Sequence, residues 1–335
     1  MQMLVEGKAK IYLCKGVFFN PHMRISRSIC TSAFQLINSM ENNKLHVLDG
    51  FTATGARGIR YNIEAGCQVS FLDISEKAIK CCKKNLLLNN IDGQVIKSDF
   101  NRFIISEKGS MFNAIELDPF GSPVPYLWPC INTLVKNKYS YLSVNATDLQ
   151  VLCGVNKNAA LKYYGTVLER NYFCHEMAIR TLLKKIAQIA IEHNAGIKPL
   201  ISFYYRHAIR VIIKIERGNY NAMETLKNIG YADGIGPIWK SAIKDKEFVK
   251  NMRKSYDEEA NKIIDIIKEE LDTLWFYSTE HIAKTYKVKQ VKTNDIINAL
   301  RENGYEATKT HFSTKGFRTN AGIHDILALI KDQGR

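Results

Sequence analysis

Val47-Leu48-Asp49-Gly50-Phe51-Thr52-Ala53-Thr54-Gly55-Ala56-Arg57-Gly58 is the stretch on which the fold turns. It begins as an apolar run that closes on an acid and ends as the opening of a helical pattern. The small residues between let the backbone approach a ligand closely. A helix that starts there points unpaired N–H groups at an anionic group such as a carboxylate. The glycines fall as G-x-x-x-x-G-x-x-G. That fits the G-x-G-x-x-G of dinucleotide-binding turns poorly, and the stretch lacks the G-K-[ST] of a phosphate loop. Working outward, strand-length apolar runs recur at Leu45–Leu48, Val69–Leu72, Gln94–Ile96, Ala114–Leu117 and Tyr141–Val144. Helical stretches lie between them, at Arg57–Ala65 and Ser75–Asn89. This alternation predicts an α/β fold with a parallel sheet wrapped on both faces. Leu200–Tyr205 and Ala208–Ile215 read as a closing antiparallel pair.

Three of the runs end in acids. Asp49 closes the first, Asp73 the second and Asp99 the third. An acid at the second strand end is placed to accept both hydroxyls of a ribose, although Asp73 would also suit the cap of a helix starting at Ser75. Asp99 could take an adenine amino group, with Phe100 packing on the ring. The series matches the pattern of class I methyltransferases better than that of a dehydrogenase, which makes S-adenosyl-L-methionine the expected cofactor.

The fourth run ends in Glu116-Leu117-Asp118-Pro119-Phe120-Gly121-Ser122-Pro123. This loop resembles the D/N-P-P-Y/F loop of methyltransferases that act on exocyclic amines. The lone pair of such an amine is delocalised into the base, so the nitrogen is a weak nucleophile. A carboxylate that accepts one of its N–H bonds restores electron density and can take the proton. An aromatic ring that stacks on an extruded base contributes roughly 1–3 kcal/mol. Asp118 is therefore expected as the amine acceptor or base and Phe120 as the stacking platform. Upstream, Val17–Arg27 pairs aromatics with Arg24 and Arg27, which suits either a lid over base and cofactor carboxylate or the start of an amphipathic helix.

At 335 residues the chain exceeds one ordinary core, so two domains are expected, 1–217 and 218–335, divided at the polar segment 216–221. Lys and Arg number 47 against 33 Asp and Glu, a formal charge of +14 that favours a polyanionic partner. The eight cysteines include no C-x-x-C pair, so reduced thiols in a cytoplasmic protein are expected rather than a disulfide framework or a metal site. No signal peptide or membrane span is expected either. In the second half, Asp257–Leu274, Thr279–Tyr286 and Thr293–Asn303 read as helices. Ala307–Thr319 reads as a basic hairpin, an order suggesting a smaller α+β, winged-helix-like domain. Between His281 and Asn320, eight Lys/Arg face three Asp/Glu, with Tyr286, Tyr305, Phe312 and Phe317 interleaved. That mixture suits an RNA surface, though the aromatics suit a core equally. Lys309, Lys315 and Arg318 are the expected phosphate contacts. His175 and Glu176 are adjacent, about 100° apart on a helix, and so are expected to be structural.

Together these motifs resemble the tRNA guanine-26 N2-dimethyltransferase family. The matching residues are Glu6–Ile11, Phe18–Met23, Ala53–Arg60, Asp118–Pro123, Ala146–Asp148, Leu152–Gly154, Cys174–Glu176, Gly236–Trp239 and Gly304–Phe312, which span nearly the whole chain. The resemblance implies a class I methyltransferase domain with a C-terminal domain that helps hold tRNA, and transfer of one and then a second methyl to N2 of a guanine. It implies that Asp118, Phe120 and Phe18 hold the guanine. Arg27, Arg57, Asp73 and Asp99 would hold the cofactor, with Asp49 in the same site. Two departures stand out. The stretch 220–236 lacks the cysteine pairs that some members use for zinc, so no metal is expected. Ser28 stands where an acid usually follows the arginine, which leaves the partner of Arg27 open. Two competing classes are an amino-methyltransferase acting on another base in RNA or DNA and an RNA-binding protein with a decayed site. The first predicts a more typical second proline where Phe120 stands, and the second predicts loss of Asp118 or of the Ala53–Gly58 turn.

Overall fold

The computed structural model describes residues 3–42 and 45–333. A hairpin of β1 (Met3–Glu6) and β2 (Ala9–Tyr12) precedes the helix Arg24–Met40. That helix forms because Ile25, Ile29, Ala33, Phe34 and Ile37 recur at helical spacing and are all buried.

Seven strands then build one sheet: β3 (His46–Asp49), β4 (Gln68–Asp73), β5 (Val95–Lys97), β6 (Ala114–Leu117), β7 (Tyr139–Ala146), β8 (Ala195–Tyr205) and β9 (Ala208–Arg217). Their order is β5-β4-β3-β6-β7-β9-β8. β3 to β7 run parallel, and β9 pairs antiparallel with both β7 and β8. The central strand β6 is buried at every position, as expected where helices cover both faces. Chain order reverses between β3 and β6, so the crevice at their carboxyl ends is where an open α/β sheet takes a ligand. Each expected strand is present.

The N-terminal hairpin corrects one expectation. Its second strand folds onto the helix Glu76–Leu88, where Asn85 bonds Tyr12 and Asn89 bonds Lys10 through side chain and backbone. That docking brings Cys14 and Cys81 together as a disulfide, with Cα atoms 5.9 Å apart. No spacing signal marks a pair separated by 67 residues. The other six cysteines are free, five of them buried.

Past the sheet come a second hairpin, β10 (Ile229–Ala232) and β11 (Ile235–Trp239), and the helices Lys246–Asn251 and Glu258–Glu269. Side chains of this region, including Trp239, Phe248, Val249, Ile264 and Ile267, enter the two hydrophobic clusters that flank the sheet. The helix expected to reach Leu274 stops at Glu269. Glu270 leaves it because its carboxylate is held by Thr310, His311 and Arg318. A last unit comprises β12 (Tyr277–Ser278), β13 (Ala307–Lys309) and β14 (Gly316–Thr319), ordered β12-β14-β13, with the helices Thr279–Tyr286, Thr293–Glu302 and Ile323–Gln333. The two helices followed by a hairpin keep the winged-helix order. Ile282, Ile296, Leu300, Phe317, Ile326 and Ile330 give this unit its own core.

Candidate active site

The turn after β3 is built around Asp49. Its Oδ2 accepts from Gly58 N at 3.1 Å and from the Thr52 hydroxyl at 3.1 Å, which ties the start of the helix Ala56–Ile63 to the end of the strand. A Cβ at Gly58 would lie 2.4 Å from the Phe71 ring and 2.9 Å from Asp49 Oδ2, so glycine is required there. Burial, reinforced by nearby Glu116, pushes the Asp49 carboxyl up to about 7. Asp73 accepts from Ala53 N at 2.9 Å and from Ser75 N at 2.8 Å. It thus shapes the turn, while Ser75 itself caps the following helix. Asp99, exposed at the end of β5, caps the helix Phe100–Ile104 by accepting from Arg102 N.

Phe100 does not face the crevice. It is 3% exposed, packed between Phe51 and Tyr126 in the main core, and closes over Gly50. The half-buried ring above it is Phe51, 5.1 Å away and nearly parallel. The correction follows from position, because Phe100 opens a helix whose inner face is already apolar, with Phe103 and Ile104.

Asp118 sits at the end of β6 in a cluster of charges. Its Oδ2 is 2.9 Å from Arg57 Nη2 and 3.2 Å from Arg210 Nη2. Glu116, fully buried two residues earlier, pairs with Arg210, lies 3.4 Å from Arg57 Nε and accepts from the Tyr61 hydroxyl at 2.7 Å. Burial alone would raise the Asp118 carboxyl, but Arg210 and Arg57 outweigh it and hold it below the ordinary range. Arg210, from β9, escaped the sequence reading. Its strand joins the sheet antiparallel from the far end of the chain, and the spacing of residues carries no trace of that approach.

Beside Asp118 the rings of Phe18 and Phe120 meet edge to face, with centroids 5.0 Å apart. They are 57% and 77% exposed, and large aromatics left in water at a sheet's ligand edge need a partner. Phe18 is positioned by Arg27, which was expected at the cofactor. Arg27 donates instead to both carboxylate oxygens of Glu6, at 2.7 and 2.6 Å, and to Asn20 O at 3.1 Å. Glu6 therefore takes the place of the acid missing at Ser28, and Ser28 accepts from Arg60. Loop 118–123 is pinned from behind. Gly121 and Thr147 bond reciprocally, and the buried Tyr164 hydroxyl reaches Ser122 Oγ at 3.0 Å and Asp148 Oδ2 at 2.8 Å.

Of the expected RNA contacts, Lys309 is exposed, and Lys315 is exposed but paired with Glu280 at 2.8 Å. Arg318 is corrected. It is 2% exposed on the inner face of β14 and bonds Glu176 and Glu270. Phe312 and Phe317 are core, and Tyr286 is exposed. Among the described residues, Cys153, Cys174 and His175 bring possible metal-ligand atoms within 4.8 Å of one another. That is three of the four ligands a structural zinc site takes. No helix among the described residues is long and apolar enough to cross a membrane.

Strand order, the acid-ended turn and the Asp118 loop together define a class I methyltransferase-type domain with the Asp118 carboxylate at its ligand-binding edge. Comparison with known proteins narrows this. The family model for N2,N2-dimethylguanosine tRNA methyltransferases matches residues 1–234 and 231–331. The tRNA (guanine(26)-N(2))-dimethyltransferase of Pyrococcus horikoshii is 34% identical over 97% of each chain, and that of Archaeoglobus fulgidus is 29% identical over 98% of each. The solved structure of Trm1 from Pyrococcus horikoshii in complex with S-adenosyl-L-methionine superposes with a TM-score of 0.90 at 32% identity, covering 98% of this chain and 100% of that one. The chain belongs to the N2,N2-dimethylguanosine tRNA methyltransferase family.

Proposed function

We propose that this chain methylates the exocyclic N2 of guanine 26 in tRNA, once and then again, using S-adenosyl-L-methionine. The observation that carries the reading is Asp118, held as a carboxylate between Arg57 and Arg210 beside the exposed Phe18–Phe120 pair. Support for the substrate comes from the relatives, which are named for that reaction over nearly their whole length.

The residues at the turn fit the cofactor. Arg57 Nη1 is buried without a partner, a donor suited to a carboxylate. Asp73 and Asp99, one strand apart, would take ribose hydroxyls and the adenine amine, and Phe51 replaces Phe100 as the neighbouring ring. Asp49 orders the turn. Arg27 acts at one remove, by fixing Asn20 and so the Phe18 segment. When bound, S-adenosyl-L-methionine supplies an electrophilic methyl group.

The chain's own part is to present the amine. Guanine offers N1–H and N2–H donors on one edge, which a carboxylate accepts together, whereas adenine offers a lone pair there. Asp118 thus selects guanine and enriches N2 by hydrogen bonding. A carboxyl held below its ordinary range is a weak proton acceptor. Its role is therefore that of an acceptor and orienter, taking the proton once the methylated nitrogen has become acidic. Phe120 and Phe18 stack and flank the extruded base. The reading calls on no metal, and a cytoplasmic location goes with a tRNA substrate.

The test is transfer of labelled methyl from S-adenosyl-L-methionine to unmodified tRNA transcripts bearing guanine or adenine at position 26, with wild-type and Asp118→Ala proteins. Label on the guanine transcript alone, lost in Asp118→Ala, is the expected result. Equal label on both transcripts would refute position 26, and no label on any tRNA would refute the substrate class.

A further inference from the structure

Outside the site, a group of buried charges joins the C-terminal unit to the methyltransferase sheet. Glu176 lies in the first turn of the helix Cys174–Glu192, which packs on that sheet. Arg318 on β14 donates to Glu176 Oε2 at 2.9 Å and to Glu270 Oε1 at 2.7 Å. Glu176 also accepts from Arg180 Nε at 2.9 Å and from Trp275 N at 3.2 Å. Glu270 takes His311 Nδ1 at 2.6 Å. The side chains of Glu176, Glu270, His311 and Arg318 are all at most 4% exposed. Phe276 and Phe312 stack 5.6 Å apart beside them, in the cluster that also lines the sheet. Buried ion pairs add little stability over apolar packing, but a bidentate pair has one acceptable geometry and so specifies orientation.

The same unit carries an unbalanced surface. From His281 to Lys292 there are four lysines and no acid. Lys284, Lys287, Lys289 and Lys292 are all exposed. The helix Thr279–Tyr286 ends with Lys287 in the left-handed region (φ 53°), so the chain turns there and the last three lysines fall in the connection to the next helix. Of the two hairpin lysines expected in this role, Lys309 is exposed and Lys315 already has Glu280 as its partner. A cationic loop with no acid of its own suits a phosphate backbone, because each lysine releases condensed counterions.

We propose that the Lys284–Lys292 loop is a second RNA-backbone contact, separate from the Asp118 loop, and that the Glu176–Arg318–Glu270 group fixes its distance and direction from Asp118, so that the two together determine which guanine is presented. The inference rests on the reading of tRNA as substrate. It makes Glu176, Glu270 and Arg318 positioning residues rather than catalytic ones. Affinity and position then separate: removing lysines weakens binding evenly, while loosening the buried group leaves binding and blurs the choice of base.

The full chain tests this as wild type, Lys287→Ala/Lys289→Ala/Lys292→Ala, Glu176→Gln/Arg318→Met, and Arg318→Lys as a milder form should the double variant unfold. Two quantities are read: the slope of log Kd for tRNA against log salt, and the position of incorporated methyl by mass mapping. The lysine variant is expected to flatten the slope by about 2–3, at roughly 0.7–0.9 per lost contact, with methyl still on one guanine. The buried-group variants are expected to keep the wild-type slope and cofactor affinity while methyl appears on neighbouring guanines. An unchanged slope in the lysine variant would overturn the surface. Single-site methylation in a folded Arg318→Lys would overturn the positioning role. Absence of tRNA labelling by the wild type would instead refute the substrate reading.

Discussion

Arg210 shows how much chemistry one unanticipated residue carries. It is 1% exposed and touches both Glu116 and Asp118, so it neutralises two carboxylates that would otherwise repel each other in a dry site. A lysine there keeps the charge but reaches one carboxylate rather than both. Arg210→Lys is therefore expected to let the Asp118 carboxyl drift up toward its ordinary value of 3.8 or above. In the role proposed for it Asp118 acts as a carboxylate, so activity is expected to be lost as pH falls through its pKa. The acid limb of the kcat/KM profile should then move upward in pH. An unmoved limb would show that Asp118 does not set it. At this scale a motif places its own residues near one another, while partners that come from afar leave no trace in the sequence. Asp118, Phe120 and Phe18 gather at one sheet edge as their motifs imply. Arg318 and Phe100 sit in basic and aromatic patterns that fit a surface equally well. Burial decides between the two readings, and burial depends on which strand or helix face turns inward.

The elements behind the site explain why the Asp118 loop keeps its shape. Residues 160–164 form a single π-helical turn, a rare geometry often found at functional sites. It places the Tyr164 hydroxyl where it bonds Ser122 in the loop and Asp148 beyond β7. Tyr164→Phe removes both bonds without changing the packing of the ring. At about 1 kcal/mol each, kcat on tRNA should fall roughly tenfold or somewhat more, while cofactor affinity and tRNA Kd hold. A matching loss of cofactor affinity would mean that the change had spread to the turn after β3. The core elements were legible because parallel strands covered on both faces read as largely apolar runs, as Ala114–Leu117 does apart from Glu116. The hairpins β1–β2 and β10–β11 were not. β1 and β10 show mixed burial, β2 alternates over only four residues, and β11 is mostly buried but short and interrupted by Gly236 and Pro237, so no period stands out. The false extension of the helix Glu258–Glu269 has a similar origin. The apolar stripe runs on through Leu271 and Leu274, and the ion pair that ends the helix lies some 40 residues away in sequence.

For the whole molecule, the joint at Glu270 ties folding to pH. Burial would raise this carboxyl, but His311 and Arg318 hold it well below its ordinary value of 4.5. A carboxyl depressed in the folded state adds stability that is fully present above its unfolded pKa and is lost as pH falls through the window down to its folded value. Glu270→Gln removes that contribution and leaves Arg318 with Glu176 alone. At pH 7 the variant should be less stable by about 3–5 kcal/mol, the range for breaking one side of a buried pair. Other depressed carboxyls, such as Glu6 and Asp118, remain in both proteins and cancel in the comparison. The gap in unfolding free energy should therefore narrow steadily below about pH 4.5, as protonation in the unfolded wild type removes the advantage of the ionised form. Denaturant titrations of the two proteins at a series of pH values measure it. A gap that stays constant down to pH 3 would mean that Glu270 contributes by shape rather than charge, and the junction would then be held by packing around Phe276 and Phe312.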